Sequence, residues 1–246
     1  MVINIAIQQG WATRHTNVAS AFVQAPLAEE VYVELPEMFR DEQDHGNKDG
    51  VVLKLNKSLY GLVQAPRTWY HHLQKGLNKL DFHVSTLDPG MYYGRGMILI
   101  TYVDDTLFFG PDLKAIEQVI TELEGLGYGL TREEGDESTA FAFLGVSITP
   151  DPVTKLLKLT QQGLINKVLA ATGMSDCRTR GSPTLITPLG TDAAGPHRKE
   201  QWNYASIIGM LMYLSSNAHP EIQFAVHQCA RFTHCPRASH EEGVKH

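Results

Sequence analysis

Apolar residues recur along this chain at two spacings, and the change from one to the other marks out its elements. Leu113, Ile116, Ile120 and Leu123 come at steps of three and four, which predicts an amphipathic helix. Trp69, Leu73, Leu77 and Leu80 repeat the pattern behind Pro66, a residue tolerated at the first helical position. Leu164, Val168 and Leu169 predict a further helix after Gln161, and residues 202–216 and 220–232 a closing helical pair. Residues 1–11 read as the end of a helix.

Strands are expected where β-branched and aromatic residues cluster. Residues 13–23 predict one that runs on to Pro26, and residues 31–33 and 51–55 predict shorter ones. Residues 91–93 and 97–109 follow the turn Asp88-Pro89-Gly90, and the longer of these segments folds back on itself at Asp104 and Asp105. Residues 141–148 and 155–159 predict a hairpin across the turn Asp151-Pro152. Residues 40–50, acidic and glycine-containing, mark a loop. Residues 177–199, dense in Thr, Pro, Gly and charge, mark a long connection and the best domain boundary.

Composition narrows the class. The 246 residues are 43% apolar and 20% charged, as in an ordinary soluble globular protein. Cys177, Cys229 and Cys235 form no C-x-x-C pair and suit reduced thiols in an intracellular protein better than a disulfide framework. The longest apolar runs, such as residues 97–100 and 107–109, are far too short to span a bilayer. The apolar start lacks the basic lead-in of a signal peptide. Net charge −6 and a pI near 6.0 argue against a free-standing nucleic-acid binder, which usually presents a basic surface. The tension eases if basic parts of a longer protein lie outside this chain.

The sharpest chemical feature is residues 98–109, ILITYVDDTLFF, where Asp104 and Asp105 sit between strongly apolar strands. A carboxylate withdrawn from water costs several kcal/mol unless it is paired or binds a cation. Adjacent carboxylates repel each other, and a hard divalent ion relieves that repulsion. A solvated Asp-Asp turn is the bland alternative, and this segment by itself leaves both open. His227, Cys229, His234, Cys235 and His240 gather near the C-terminus, but their spacing fits no regular zinc pattern. Residues 125–129, GLGYG, read as a turn without the lysine of a phosphate loop, and the acidic run 133–137 as a solvated loop.

The hairpin motif Tyr102-Val103-Asp104-Asp105 resembles the catalytic hairpin of reverse transcriptases, and other pieces fall in the order of the Copia-type retrotransposon enzymes. Residues 16–22, TNVASAF, resemble the first palm strand, where that family reads M-D-V-K-T-A-F. Residues 29–39, EEVYVELPEMF, are similar to its E-E-V-Y-M-x-Q-P-E-G-F. Residues 53–70, LKLNKSLYGLVQAPRTWY, nearly match its signature, with Val63 where lysine is usual. Residues 143–148, FLGVSI, resemble its primer-holding hairpin, and residues 204–214, YASIIGMLMYL, the region that joins the polymerase to its RNase H domain.

The resemblance implies an α+β fold: a reverse-transcriptase palm with an antiparallel sheet and packed helices, then a helical thumb and connection region. Residues 1–150 would form the palm, 151–176 a thumb-like hairpin and helix, 177–200 a linker and 201–246 the connection. The implied activity is RNA-directed DNA polymerisation within a retrotransposon Pol polyprotein. Its cofactors would be two Mg²⁺ ions, replaceable by Mn²⁺. Its partners would be a primer–template, deoxynucleoside triphosphates and other Pol domains, with no membrane and a particle in the cytoplasm. Asp104 and Asp105 would hold metal with the backbone of Val18. Phe22 would exclude a ribose hydroxyl, Gly61 and Gln64 would contact the nucleotide, and Phe143, Leu144 and Gly145 the primer.

The chain departs from the pattern at Asn17, where the third catalytic aspartate belongs. An amide oxygen can ligate a hard cation but brings no negative charge. The basic fingers strand and an RNase H domain are also expected to be missing. The resulting expectation is an impaired or inactive copy, truncated at both ends. The alternatives are an active polymerase that tolerates Asn17 and a non-catalytic nucleic-acid-binding module derived from a transposon.

Overall fold

The computed structural model describes residues 2–35, 52–132, 141–151, 153–154, 156–184, 187–199 and 201–246. The expected loop 40–50, the acidic run 133–137 and residues 36–39 of the E-E-V-Y motif lie outside them. The chain divides into two compact units, Met1–Thr139 and Ala140–His246, and mixes helices with antiparallel sheets in an α+β fold.

The first unit opens with α1 (Val2–Gln8), β1 (Ala12–Val18) and a single helical turn, α2 (Ala21–Gln24). β2 (Tyr32–Glu34) and β3 (Val52–Lys54) pair as a separate ribbon. α3 (Ala65–Lys79) leads into β4 (His83–Val84), β5 (Met91–Gly94), β6 (Met97–Tyr102) and β7 (Asp105–Gly110). α4 (Leu113–Gly125) and β8 (Leu130–Arg132) complete it. The larger sheet is antiparallel with the order β4-β5-β6-β7-β1-β8, so β1 lies between β7 and β8.

One face of this sheet carries a large core cluster, and Leu107 and Phe109 of β7 are buried on the other. Val18, Tyr92, Leu99 and Phe108 pack with Trp69, Leu73 and Leu77 of α3 and with Ile116, Val119, Ile120 and Leu123 of α4. Each buried side chain of this size stabilises the fold by roughly 1.5–3 kcal/mol. The helical spacings seen in the sequence are those that place these residues on one stripe. Asp112 caps α4, its carboxylate accepting from the Lys114 N–H at 3.1 Å. Glu117 of α4 bridges Arg14 of β1 at 2.7 Å and Arg132 of β8 at 2.8 Å. The helix is therefore held to the sheet by charge as well as by its apolar face.

The strand expected over residues 13–23 stops at Val18. Ser20 takes a left-handed conformation, φ 53°, and the chain coils into α2. Ala21 and Ala25 are wholly buried there. Gln24 fixes the turn, donating to the Ala19 carbonyl at 2.6 Å and accepting from the Gly129 N–H at 3.1 Å.

In the second unit β9 (Phe141–Phe143), β10 (Val146–Pro150) and β11 (Leu157–Thr160) form an antiparallel sheet ordered β11-β10-β9. Residues 141–148 are thus two strands where one was expected. Leu144 and Gly145 between them have φ 50° and 73°, a two-residue turn whose twist matches that of the flanking strands. Helices α5 (Gln162–Ala171), α6 (Tyr204–Asn217), α7 (Gln223–Ala230) and α8 (Ala238–Lys245) follow, with a 3-10 turn at Pro220–Ile222.

Part of the expected connection is strapped to these helices. Ser239 donates to Asp192 at 2.6 Å, the Ala238 N–H to the Pro196 carbonyl at 3.1 Å, and the Arg198 guanidinium lies 4.4 Å from the Trp202 ring centroid. His240 is fully buried and stacks on Phe232 at 4.0 Å. Its Nδ1 accepts the Arg237 N–H at 2.8 Å, and its Nε2 lies 2.7 Å from the Gly190 carbonyl oxygen. Both ring nitrogens serve packing. Among the described residues no helix is long and apolar enough to cross a membrane.

Candidate active site

The hairpin of β6 and β7 turns one residue earlier than its sequence suggests. Tyr102 pairs with Asp105, so Val103 and Asp104 form the tip and Asp105 is the first residue of β7. Val103 has φ 56°, an unusual value for a β-branched residue. Two hydrogen bonds hold the tip. The Trp69 indole donates to the Val103 carbonyl at 2.6 Å, and the Val18 N–H donates to the Asp104 carbonyl at 2.7 Å. Trp69, two per cent exposed, is thus an internal strut and not a base-stacking surface.

The end of β1 brings Asn17 directly opposite Asp105. Because successive strand residues face opposite ways, Asn17, His15 and Asp105 share the sheet face turned away from Val18, Phe108 and α4. The Asn17 amide nitrogen lies 3.5 Å from Asp105 Oδ1, at the outer limit of a hydrogen bond. His15 Nε2 lies closer to the same oxygen, at 3.2 Å. The side chains of His15 and Asp105 are 13% and 24% exposed, so their interaction is only partly screened. Among the described residues no three His, Cys, Asp or Glu side chains gather as a metal site.

The other expected site residues fall in two further groups. Phe22, on α2, packs its ring against Tyr60 with centroids 4.7 Å apart. Gly61 follows with φ 100°, a conformation that favours glycine, and an added Cβ there would meet no neighbour. Gln64 is the N-cap of α3 without a side-chain capping bond, and Val63 beside it is 97% exposed. Phe143, Leu144 and Gly145 belong to the second unit, where the Tyr213 hydroxyl donates to the Leu144 carbonyl at 2.5 Å.

A family model described as Reverse transcriptase (RNA-dependent DNA polymerase) matches residues 1–186. The chain belongs to the reverse transcriptase family. Its relatives are Pol sequences of Copia-type retrotransposons. The retrovirus-related Pol polyprotein from transposon RE1 of Arabidopsis thaliana is 30% identical over 249 residues, covering 100% of this chain and 16% of its own length. That from transposon TNT 1-94 of Nicotiana tabacum is 30% identical, covering 99% of this chain and 18% of its own length. A transposon Ty5-1 protein of Saccharomyces cerevisiae is 30% identical over 93% of this chain and 72% of itself. The chain spans under a fifth of the plant polyproteins it matches.

Reverse-transcriptase motifs drew attention to Asn17 and the aspartates but passed over His15. Its signal was present, since a residue two before Asn17 on a strand must share its face. Tyr60 and Tyr213 were missed for a different reason. Their partners, Phe22 and Leu144, are brought to them only by the fold.

Proposed function

We propose that this chain is the polymerase palm and adjoining thumb and connection of a Copia-type RNA-directed DNA polymerase, impaired because Asn17 replaces a charged metal ligand. The observation that carries the reading is the register that sets Asn17 directly across from Asp105. Asp105, together with Asp104 at the turn, supplies the carboxylates available to divalent cations, with the backbone of Val18 beside them. When bound, such cations polarise phosphoryl oxygens and stabilise the attacking and leaving oxygens of nucleotidyl transfer.

The chain's own residues divide the remaining work. Trp69 and Val18 hold the turn so that the acidic side chains are presented from a fixed backbone. Phe22, backed by Tyr60, gives a rigid wall against which a deoxyribose fits better than a ribose. Gly61 leaves its surroundings open for a nucleotide near Gln64, and residues 143–145 serve the primer end. The partners are a primer–template, deoxynucleoside triphosphates and the other domains of a Pol polyprotein, in an intracellular particle. Removing one unit charge from such a site weakens stabilisation at the charge-developing step by several kcal/mol, a rate loss on the order of a thousandfold.

The test is primer extension on an RNA template with Mg²⁺ and with Mn²⁺, comparing the chain with Asn17→Asp after circular dichroism has shown both to be folded. Extension by the variant alone supports the reading. Equal rates would show that Asn17 is tolerated. If both are silent, salt-dependent primer–template binding without turnover would favour a retained binding module.

A further inference from the structure

We propose that Tyr213 is a positioning residue for the primer end of a nucleic-acid duplex, fixing the peptide between Leu144 and Gly145 so that the Gly145 N–H donates to a primer phosphate. The inference rests on the reading of residues 143–145 given above and names the group that prepares them. Tyr213 lies beyond residues 1–186, the span that the family model matches.

Leu144 and Gly145 are the two residues of the turn between β9 and β10, closed by the pairing of Phe143 with Val146. Both have positive φ, 50° and 73°, and the peptide joining them sits at the tip. The Tyr213 hydroxyl donates to the carbonyl of that peptide at 2.5 Å. A trans peptide is planar and directs its N–H opposite to its C=O. Tyr213, bound on the carbonyl side, therefore leaves the Gly145 N–H turned away from α6. Gly145 is exposed, and a Cβ built there would meet nothing within 4 Å, so a ligand can come close to its backbone. The helix that carries Tyr213 is anchored in turn, since Tyr204, Ile207, Ile208 and Leu214 of α6 are buried.

The sheet behind the turn suits a sugar–phosphate backbone. Val146 and Ile148 of β10 are buried, so Ser147 and Thr149 face the other way. The register sets Thr160 beside Ser147 and the exposed Lys158 beside Thr149. Hydroxyls, lysines and backbone N–H groups are the donors that meet phosphates and fix the position of a strand without reading its sequence. Holding a primer end demands that kind of contact. Tyr213 is 43% exposed, so its hydrogen bond contributes little to folding, and its removal leaves the fold in place while freeing the turn peptide to rotate.

The probe is a fluorescent DNA primer annealed to an RNA template with a recessed 3′ end, and its binding to the whole chain is read by fluorescence anisotropy. Methylphosphonates replace the terminal primer linkages one at a time, and circular dichroism checks that each protein is folded. The expected parent prefers the recessed end to a blunt duplex and loses about tenfold in affinity at one linkage. Tyr213→Phe should bind the unmodified primer about tenfold more weakly and be indifferent to the change at that linkage, a non-additive pair. If Tyr213→Phe binds as the parent does, or keeps the parent's sensitivity, the role of Tyr213 is refuted and the palm reading stands. A parent that prefers the recessed end yet ignores every methylphosphonate refutes the phosphate contact, again without touching the palm. A folded parent that binds neither duplex, or binds both alike, overturns the proposal together with the palm reading on which it rests.

Discussion

The indole N–H of Trp69 donates to the carbonyl of Val103, 2.6 Å away at the tip of the β6–β7 turn. Left-handed backbone costs a residue with a Cβ about 1–2 kcal/mol, and this bond offsets that strain where the chain reverses. Tyr213 makes the corresponding bond to Leu144, another turn residue with positive φ. The two differ in burial, Trp69 being 2% exposed and Tyr213 43%. Trp69→Phe is expected to lower stability by about 1–2 kcal/mol, and Tyr213→Phe by under about 0.5 kcal/mol. Urea midpoints of the two variants would show the contrast, and equal losses would refute the role given to burial.

Gly76 lies beneath Tyr128, whose hydroxyl donates to the His72 carbonyl at 2.7 Å. A Cβ at residue 76 would stand 2.3 Å from that hydroxyl oxygen. Gly76→Ala gains up to about 1 kcal/mol of helix propensity but overpacks a buried ring. The expected net effect is a loss of about 1–3 kcal/mol. In a Tyr128→Ala background the same change should become neutral or favourable, as measured by a double-mutant cycle.

Burial would raise the Glu117 carboxyl, yet hydrogen bonds and charge from Arg132 and Arg14 outweigh it and hold it below the ordinary carboxylate range. A group held low in the folded state binds fewer protons there than in the unfolded chain. Its contribution is complete above the unfolded value of about 4.3 and fades as pH falls through the folded value. Glu117→Gln should therefore be less stable than the parent at pH 7, and the difference should vanish in acid. Denaturation profiles across pH would sink the idea if the gap persisted at low pH.

Asn17→Asp is expected to cost stability before it restores anything. It sets a second carboxylate opposite Asp105 on a half-buried sheet face, where like charges facing across strands destabilise by about 0.2–1 kcal/mol or more. In the presence of a chelator its melting temperature should fall below that of the parent. Added Mg²⁺ should raise it again, with little effect on the parent.

Much of this fold was legible because its helices carry long, regular patterns. Leu73, Leu77, Ile116 and Ile120 announced α3 and α4, and all four lie in the core. The hairpin bearing the aspartates was legible too, but its turn was placed one residue late. Alternation of apolar residues does not reveal that Val103 will accept a left-handed conformation when Trp69 holds its carbonyl. The short helix α2 was hidden because its small and β-branched residues suit a strand equally well, and only the left-handed turn at Ser20, fixed by the bonds of Gln24 to Ala19 and Gly129, decides the matter. Helix α8 and its strap to residues 190–199 depend on contacts made by His240, Ser239 and Glu241, for which local sequence gives no sign. At the site, the motifs identified Asn17 and Asp105 separately. Their closeness, and that of His15, comes from the pairing of β1 with β7.

The position of Asn17 has an evolutionary side. Asparagine and aspartate have nearly the same shape, so the strand, the turn and the surrounding side chains hold the place in the form an acid would occupy. Their codons differ by a single base. On the reading proposed above, an aspartate-to-asparagine change here alters charge and leaves the architecture standing, so a copy of this kind would be a short mutational step from regaining that ligand. That step stays open only while Trp69, Val18 and the core beneath them are preserved.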